Sequence, residues 1–236
     1  MDLSAAPPCP PPAPAPPSRR QALALVRRTF APCARAVRWH AVGRFLTCPF
    51  LRVLPFLPPG GQLLDLGAGH GLFAVLALAG GAASVVAAEP DRRKVLATYR
   101  KPRVHFAVAY AEAIGGRFPA VSIFDVLYRI PLAGWDAVLA AAFERLEPGG
   151  VLLLKEIDPA ARLKGAWNRA QEKLADLLGL TLGEAFSYET RGEIRARLER
   201  LGFAGFRAIE LGRGYPHAHV LYLAYRPALE SAVEKS

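Results

Sequence analysis

From Gln62 onward, almost wholly apolar runs alternate with helical patterns, and this alternation most limits what the chain can fold into. Strands are expected at Gln62–Leu66, Ser84–Ala88, Val104–Ala109, Ser122–Leu127 and Val151–Ile157. Between and after them, helices are expected at Gly71–Ala79, Arg92–Tyr99, Leu132–Arg145 and Arg162–Leu178. In the last of these, Trp167, Ala170, Leu174 and Leu177 recur on one face and Gly179 ends the pattern. Strands this apolar leave no face for solvent, so they belong to a parallel sheet covered on both sides by the intervening helices. The character then changes. A helix over Arg191–Leu201 leads to strands at Phe206–Glu210 and Ala218–Tyr225, joined through Gly212-Arg213-Gly214. That pair reads as an antiparallel hairpin at the sheet edge. The expected fold class is α/β: a doubly wound, mostly parallel, seven-stranded sheet with an antiparallel C-terminal hairpin strand.

What precedes Gln62 is different in kind. Residues 1–18 hold eight prolines and read as a disordered proline-rich tail. Residues 19–58 read as a basic helical extension or lid, with Ser18 capping a first helix from Arg19 and Pro32 separating it from a second. Residues 59–226 form the main domain, and 227–236 a flexible C-terminal tail. Charge follows the same division: residues 1–58 contain eight arginines against one acid, Asp2, whereas 59–236 are nearly balanced. The extension also carries Phe30, Trp39, Phe45, Phe50 and Phe56, too many aromatics for a solvated tail. A basic, partly apolar segment of this kind suits a cover over an apolar acceptor or a surface that meets anionic lipid; packing on the core is the plain alternative.

No apolar run approaches the ~18 residues that span a bilayer, and the first 18 residues lack both a positive side chain and a continuous apolar core. Neither a transmembrane helix nor a signal peptide is expected. Three cysteines, Cys9, Cys33 and Cys48, make neither a disulfide framework nor a metal site. The expected location is the cytoplasm, with peripheral membrane contact through residues 19–58.

The strongest chemical signal is Leu63-Leu64-Asp65-Leu66-Gly67-Ala68-Gly69-His70-Gly71, where a buried strand ends and alternating glycines open a helix. Glycine lets backbone turn sharply and lie against a ligand, and the free amides of the helix start can receive polar groups. The second strand ends at Ala88-Glu89-Pro90-Asp91, placing a carboxylate where both hydroxyls of a ribose can be accepted; capping of the next helix is the alternative. A dinucleotide fingerprint would need a small residue at position 72, and Leu72 stands there.

At these residues the sequence resembles the class I S-adenosylmethionine-dependent methyltransferases, whose fold is Rossmann-like. Asp65 through Gly71 is similar to the family's first motif and Glu89 to its ribose-binding acid. Asp125-Val126-Leu127-Tyr128 falls where the fourth strand delivers residues to the methyl-transfer site, and Leu146-Glu147-Pro148-Gly149-Gly150 is similar to the turn into the fifth strand. The resemblance implies cofactor contacts at Asp65, Gly67, Ala68, Gly69, Glu89, Tyr110 and Glu112, and catalytic roles for Asp125 and Tyr128. Asp125 as a base for a hydroxyl acceptor stands beside a second reading, in which it orders its own loop. Lys155 and Glu156 either line the cleft or pair with each other, and His217 and His219 read as edge residues. Two departures stand out: Ala109-Tyr110-Ala111-Glu112 replaces the usual adenine-reading sequence, and Ala120 sits where relatives start the fourth strand with Asp.

The implied activity is methyl transfer from S-adenosylmethionine to a small-molecule or lipid-like acceptor, with no structural metal. Asp125-Val126-Leu127-Tyr128 lacks the paired prolines of amino-methylating nucleic-acid enzymes, and no cysteine follows Cys48 to serve carbon-5 pyrimidine chemistry. An RNA methyltransferase using the basic extension, or a non-catalytic cofactor-binding module, are the alternatives.

Overall fold

A computed structural model describes residues 15–158 and 187–228 of the chain. The expected helix at 162–178 lies outside the described residues, as does most of each tail.

Two helices come first, α1 (Arg19–Phe30) and α2 (Arg35–Thr47), followed by short 3-10 turns at Phe50–Arg52 and Leu54–Phe56. Ser18 caps α1 through a reciprocal box: its Oγ accepts from the Gln21 amide, while Gln21 Oε1 accepts from the Ser18 amide at 2.9 Å. The main domain then runs β1 (Gln62–Leu66), α3 (Leu72–Ala79), β2 (Ser84–Ala88), α4 (Arg92–Leu96), β3 (Val104–Ala107) and β4 (Phe118–Phe124). It continues with α5 (Leu132–Arg145), β5 (Leu146–Ile157), α6 (Arg191–Arg200), β6 (Ala204–Glu210) and β7 (His219–Tyr225).

The seven strands lie in the order β3-β2-β1-β4-β5-β7-β6. Pairs among β1 to β5 are parallel; β7 runs antiparallel to both β5 and β6. The strand order reverses between β1 and β4, so their C-terminal ends flank the crevice where open α/β sheets bind ligands. Alternate side chains feed two cores. On one face Leu63, Val85, Phe124 and Leu153 pack with α1, α2 and α3; on the other Leu64, Ile123, Leu152 and Tyr222 pack with α5 and α6. Residues 19–57 are built into the first core, contributing Val26, Phe30, Phe45, Phe50, Val53 and Leu54.

Several boundaries differ from expectation for identifiable reasons. Strand β4 starts at Phe118 rather than Ser122, with a register shift at Pro119, which has no amide hydrogen for the ladder. It stops at Phe124 because Asp125 takes φ +56°, left-handed backbone that ends a strand. Leu127–Arg129 therefore forms a 3-10 turn instead of strand. The hairpin's second strand, β7, lies inside the sheet and β6 takes the edge. His219 is consequently buried at 2% exposure rather than an edge residue.

Candidate functional site

The turn after β1 forms the site's floor. Gly67, Gly69 and Gly71 all have positive φ, so the chain reverses within a few residues and α3 begins directly beyond them. A Cβ on Gly67 would sit 2.4 Å from Val126 Cγ2, so only glycine allows this turn to close on the β4 loop. A Cβ on Gly69 would meet nothing within 4 Å; this position faces open space. Behind the turn, Asp65 is buried and accepts a hydrogen bond from Ser122 Oγ at 2.6 Å. Burial raises its carboxyl to about 7, helped by Glu89 and opposed by the Ser122 bond.

Glu89, at the end of β2, reaches across to the turn. Its Oε2 accepts the Gly69 amide at 2.8 Å, and Oε1 accepts the Asp91 amide at 3.1 Å and Lys94 Nζ at 3.2 Å. Asp91, not Glu89, caps α4.

One cavity of about 410 Å³ joins these groups to the end of β4 and to α2. Asp65, Gly67, Ala68, Gly69, Glu89, Tyr110, Glu112 and Asp125 all line it. Tyr128 does not: its hydroxyl accepts from Arg129 Nε at 2.9 Å, and its ring stacks on Tyr188 with centroids 6.3 Å apart.

Asp125 is held by two cations. Lys155 Nζ lies 2.5 Å from Oδ1 and an Arg44 guanidinium nitrogen 2.8 Å from Oδ2. Burial pushes the carboxyl up, but Lys155 and Arg44 outweigh it and hold it below the usual carboxylate range. The network continues through His219, whose Nδ1 is 3.4 Å from Lys155 Nζ and whose Nε2 is 3.2 Å from the Thr47 carbonyl. A carbonyl only accepts and an ammonium only donates, so the proton sits on Nε2 and the ring is neutral. Burial and Lys155 accordingly lower His219 to about 4.

Lys155 and Glu156 neither line the cavity nor pair with each other. As neighbours on β5 they point to opposite faces of the sheet. Glu156 Oε1 accepts the amides of Val126 and Leu127 at 3.2 and 3.0 Å. Ordering of the β4 loop, considered for Asp125, is therefore carried by Glu156. Burial, with Asp125 nearby, raises Glu156 to about 8.

Sequence reasoning offered residues 19–58 as a cover over an acceptor but singled out neither of the α2 side chains that reach the cavity. His40 and Arg44 line it one helical turn apart, and Phe50 adds an aromatic wall with Phe73 and Phe124. Their helical i, i+4 spacing was the only available signal; nothing in it reveals which arc of α2 turns toward the sheet. His40 is lowered by burial and by Arg44, His70, Arg129 and Lys94, so its imidazole is neutral at physiological pH. Among the described residues, no group of three or more His, Cys, Asp or Glu side chains could hold a metal ion.

Residues 38–206, well over half of the chain, match the family model for a methyltransferase domain, and the chain belongs to that family. Its fold is that of the class I S-adenosylmethionine-dependent methyltransferases. Among solved structures, human N-acetylserotonin methyltransferase in complex with S-adenosylmethionine aligns with a TM-score of 0.63 at 14% identity, over 89% of this chain. The chain spans 57% of that enzyme's length. The Burkholderia thailandensis 1,6-didemethyltoxoflavin-N1-methyltransferase, solved with 1,6-didemethyltoxoflavin and S-adenosylhomocysteine, aligns with a TM-score of 0.59 at 18% identity, over 91% of this chain and 92% of its own. An S-adenosylmethionine-dependent methyltransferase from Mesorhizobium loti aligns with a TM-score of 0.59 at 16% identity, over 76% of this chain and 98% of its own. No curated protein matches the chain.

Proposed function

We infer that the protein transfers the methyl group of S-adenosylmethionine to a small-molecule or lipid-like acceptor held beneath α2. The observation that carries this reading is the single cavity in which the glycine turn and Glu89 share walls with His40, Arg44 and Phe50. The residues fit the cofactor. Gly69 leaves open space where a side chain would stand, and Glu89 offers a carboxylate for ribose hydroxyls. Tyr110 and Glu112 also line the cavity and would take the adenine contacts that the resemblance implies, with Asp65 buried behind the turn.

When bound, S-adenosylmethionine supplies an electrophilic methyl group on a sulfonium. The protein's own task is then mainly positioning, which can remove ~7–11 kcal/mol of barrier. Asp125 fits a positioning role better than a basic one, because both carboxylate oxygens already face cations and its proton affinity is lowered. Through Arg44 it fixes α2 over the cavity. In this reading the proton of a hydroxyl or amine acceptor goes to His40, a neutral imidazole on the acceptor side. General-base assistance of this kind is worth about 10²–10⁴-fold.

Incubation with labelled S-adenosylmethionine and fractionated cell extract tests the reading. Label entering a small-molecule or lipid pool supports it, and label confined to RNA or protein contradicts it.

A further inference from the structure

Helix α2 has three unlike faces. Val37, Ala41 and Phe45 enter the core, and His40 and Arg44 line the cavity. The third face holds Arg35, Trp39 and Leu46, at helical spacings i, i+4 and i+11, with Val42 beside them partly buried against the core. Trp39 is 75% exposed and Leu46 41% exposed, so the helix is apolar toward solvent as well as toward the core. An exposed apolar stripe with basic flanks is a contact surface rather than a solvated one.

Its electrostatic setting is one-sided. No acid occurs between Asp2 and Asp65. Arg19, Arg20, Arg27, Arg28, Arg35 and Arg38 are exposed, and none has a carboxylate partner among the described residues. On α6, by contrast, the arginines are neutralised: Arg191 pairs with Asp158, Arg195 with Glu199, and Arg197 and Arg200 with Asp136. Exposed arginines without a carboxylate partner also occur elsewhere, Arg92, Arg103 and Arg117 among them, but α1 and α2 together carry six of them and no acid at all.

We propose that the outer face of α2 docks on an anionic lipid bilayer, with Trp39 and Leu46 entering the interface and Arg35 and Arg38 meeting lipid phosphates. Tryptophan and leucine on an arginine-flanked face match the chemistry of the headgroup boundary. A second copy of the chain does not suit this face, because a self-complementary contact would set unpaired arginines against one another. The helix lies on the surface and does not cross: among the described residues no helix is long and apolar enough to span a membrane. The contact itself needs no methyl donor, so it stands or falls apart from the transfer reaction.

Flotation of the full chain with phosphatidylcholine vesicles, with and without phosphatidylglycerol, tests the proposal. Binding is expected only with phosphatidylglycerol and is expected to weaken as salt rises. Trp39→Ser with Leu46→Ser should lower the partition coefficient at least about tenfold without moving the melting temperature. Should that pair melt early, Arg35→Ala with Arg38→Ala reads the same contact from surface positions, with a loss of about tenfold expected. Absence of binding to phosphatidylglycerol vesicles at low salt overturns the proposal. So does binding that survives both pairs of substitutions, or retention of a short RNA under conditions where vesicles are not bound.

Discussion

Lys155 Nζ lies 2.5 Å from Asp125 Oδ1, and both side chains are buried at the junction of β4, β5 and α2. Two strand ends and the N-terminal extension are tied together at this ion pair, because Arg44 holds the other oxygen of the same carboxylate. Removing one member of a buried pair leaves an uncompensated charge and costs about 3–5 kcal/mol. Lys155→Met should therefore lower unfolding stability in urea by roughly 3 kcal/mol, the lower end because Arg44 remains. Asp125→Asn in the same chain should restore part of the loss, since asparagine is neutral and accepts left-handed backbone. If the double variant is as unstable as the single one, the pair is not the source of the loss.

The two glycines of the turn should respond differently to the same substitution. Gly67→Ala drives a methyl into Val126 and should lower the melting temperature strongly or prevent folding. Gly69→Ala carries only the backbone cost of positive φ, about 1–2 kcal/mol, with its methyl in open space on the cavity side. It should fold yet bind S-adenosylhomocysteine at least tenfold more weakly. Thermal melts and calorimetry on both variants check this ordering.

Much of this was legible in the sequence. Strands β1 and β2 appear at the expected residues because uninterrupted apolar runs bounded by glycine or Glu-Pro have one comfortable conformation. The glycine turn and Glu89 were readable for the same local reason. The end of β4 was not: Asp125, Val126 and Leu127 look like strand, and only the carboxylate of Glu156, 30 residues away, draws the two following amides into a turn. His40, Arg44 and His219 were hidden in the same way. Their surroundings are assembled by β7 and α2, far apart in the chain, and no local pattern encodes that meeting.

The pH dependence of stability separates these buried acids. Glu156 is raised from 4.5 to about 8 in the folded protein. The unfolded chain therefore releases this proton first, and stability falls as pH rises from about 4.5 to 8. Asp65, raised to about 7, acts in the same direction. His219, lowered to about 4, acts oppositely and removes stability as pH falls from 6.5 toward 4. Glu156→Gln keeps an oxygen for the Val126 and Leu127 amides but cannot ionise. It should flatten the alkaline limb by an amount on the order of a few kcal/mol, measured by urea unfolding across this range. An unchanged limb would assign the slope to other groups.

The N-terminal extension should behave as core, not as a detachable cover. A chain starting at Pro59 loses Phe30, Phe45, Phe50 and Leu54 from the face of the sheet beneath α1 and α2, and each large apolar side chain is worth about 1.5–3 kcal/mol. We expect no cooperative thermal transition from it, whereas a chain starting at Ser18 should melt within a few degrees of the full protein. A folded, cofactor-binding chain from Pro59 onward would return these helices to the role of a lid.

The most direct measurement for the central claim is titration calorimetry of S-adenosylhomocysteine into the wild type and Glu89→Ala. The glycine turn and Glu89 form one site in this account, so the wild type should bind one equivalent, and loss of the carboxylate should weaken binding by at least about 30-fold, roughly 2 kcal/mol. Because Glu89 also holds the Gly69 and Asp91 amides, melting temperatures are taken on both proteins to separate lost contacts from lost fold. Equal affinity in two folded proteins, or no binding by the wild type, would contradict the account.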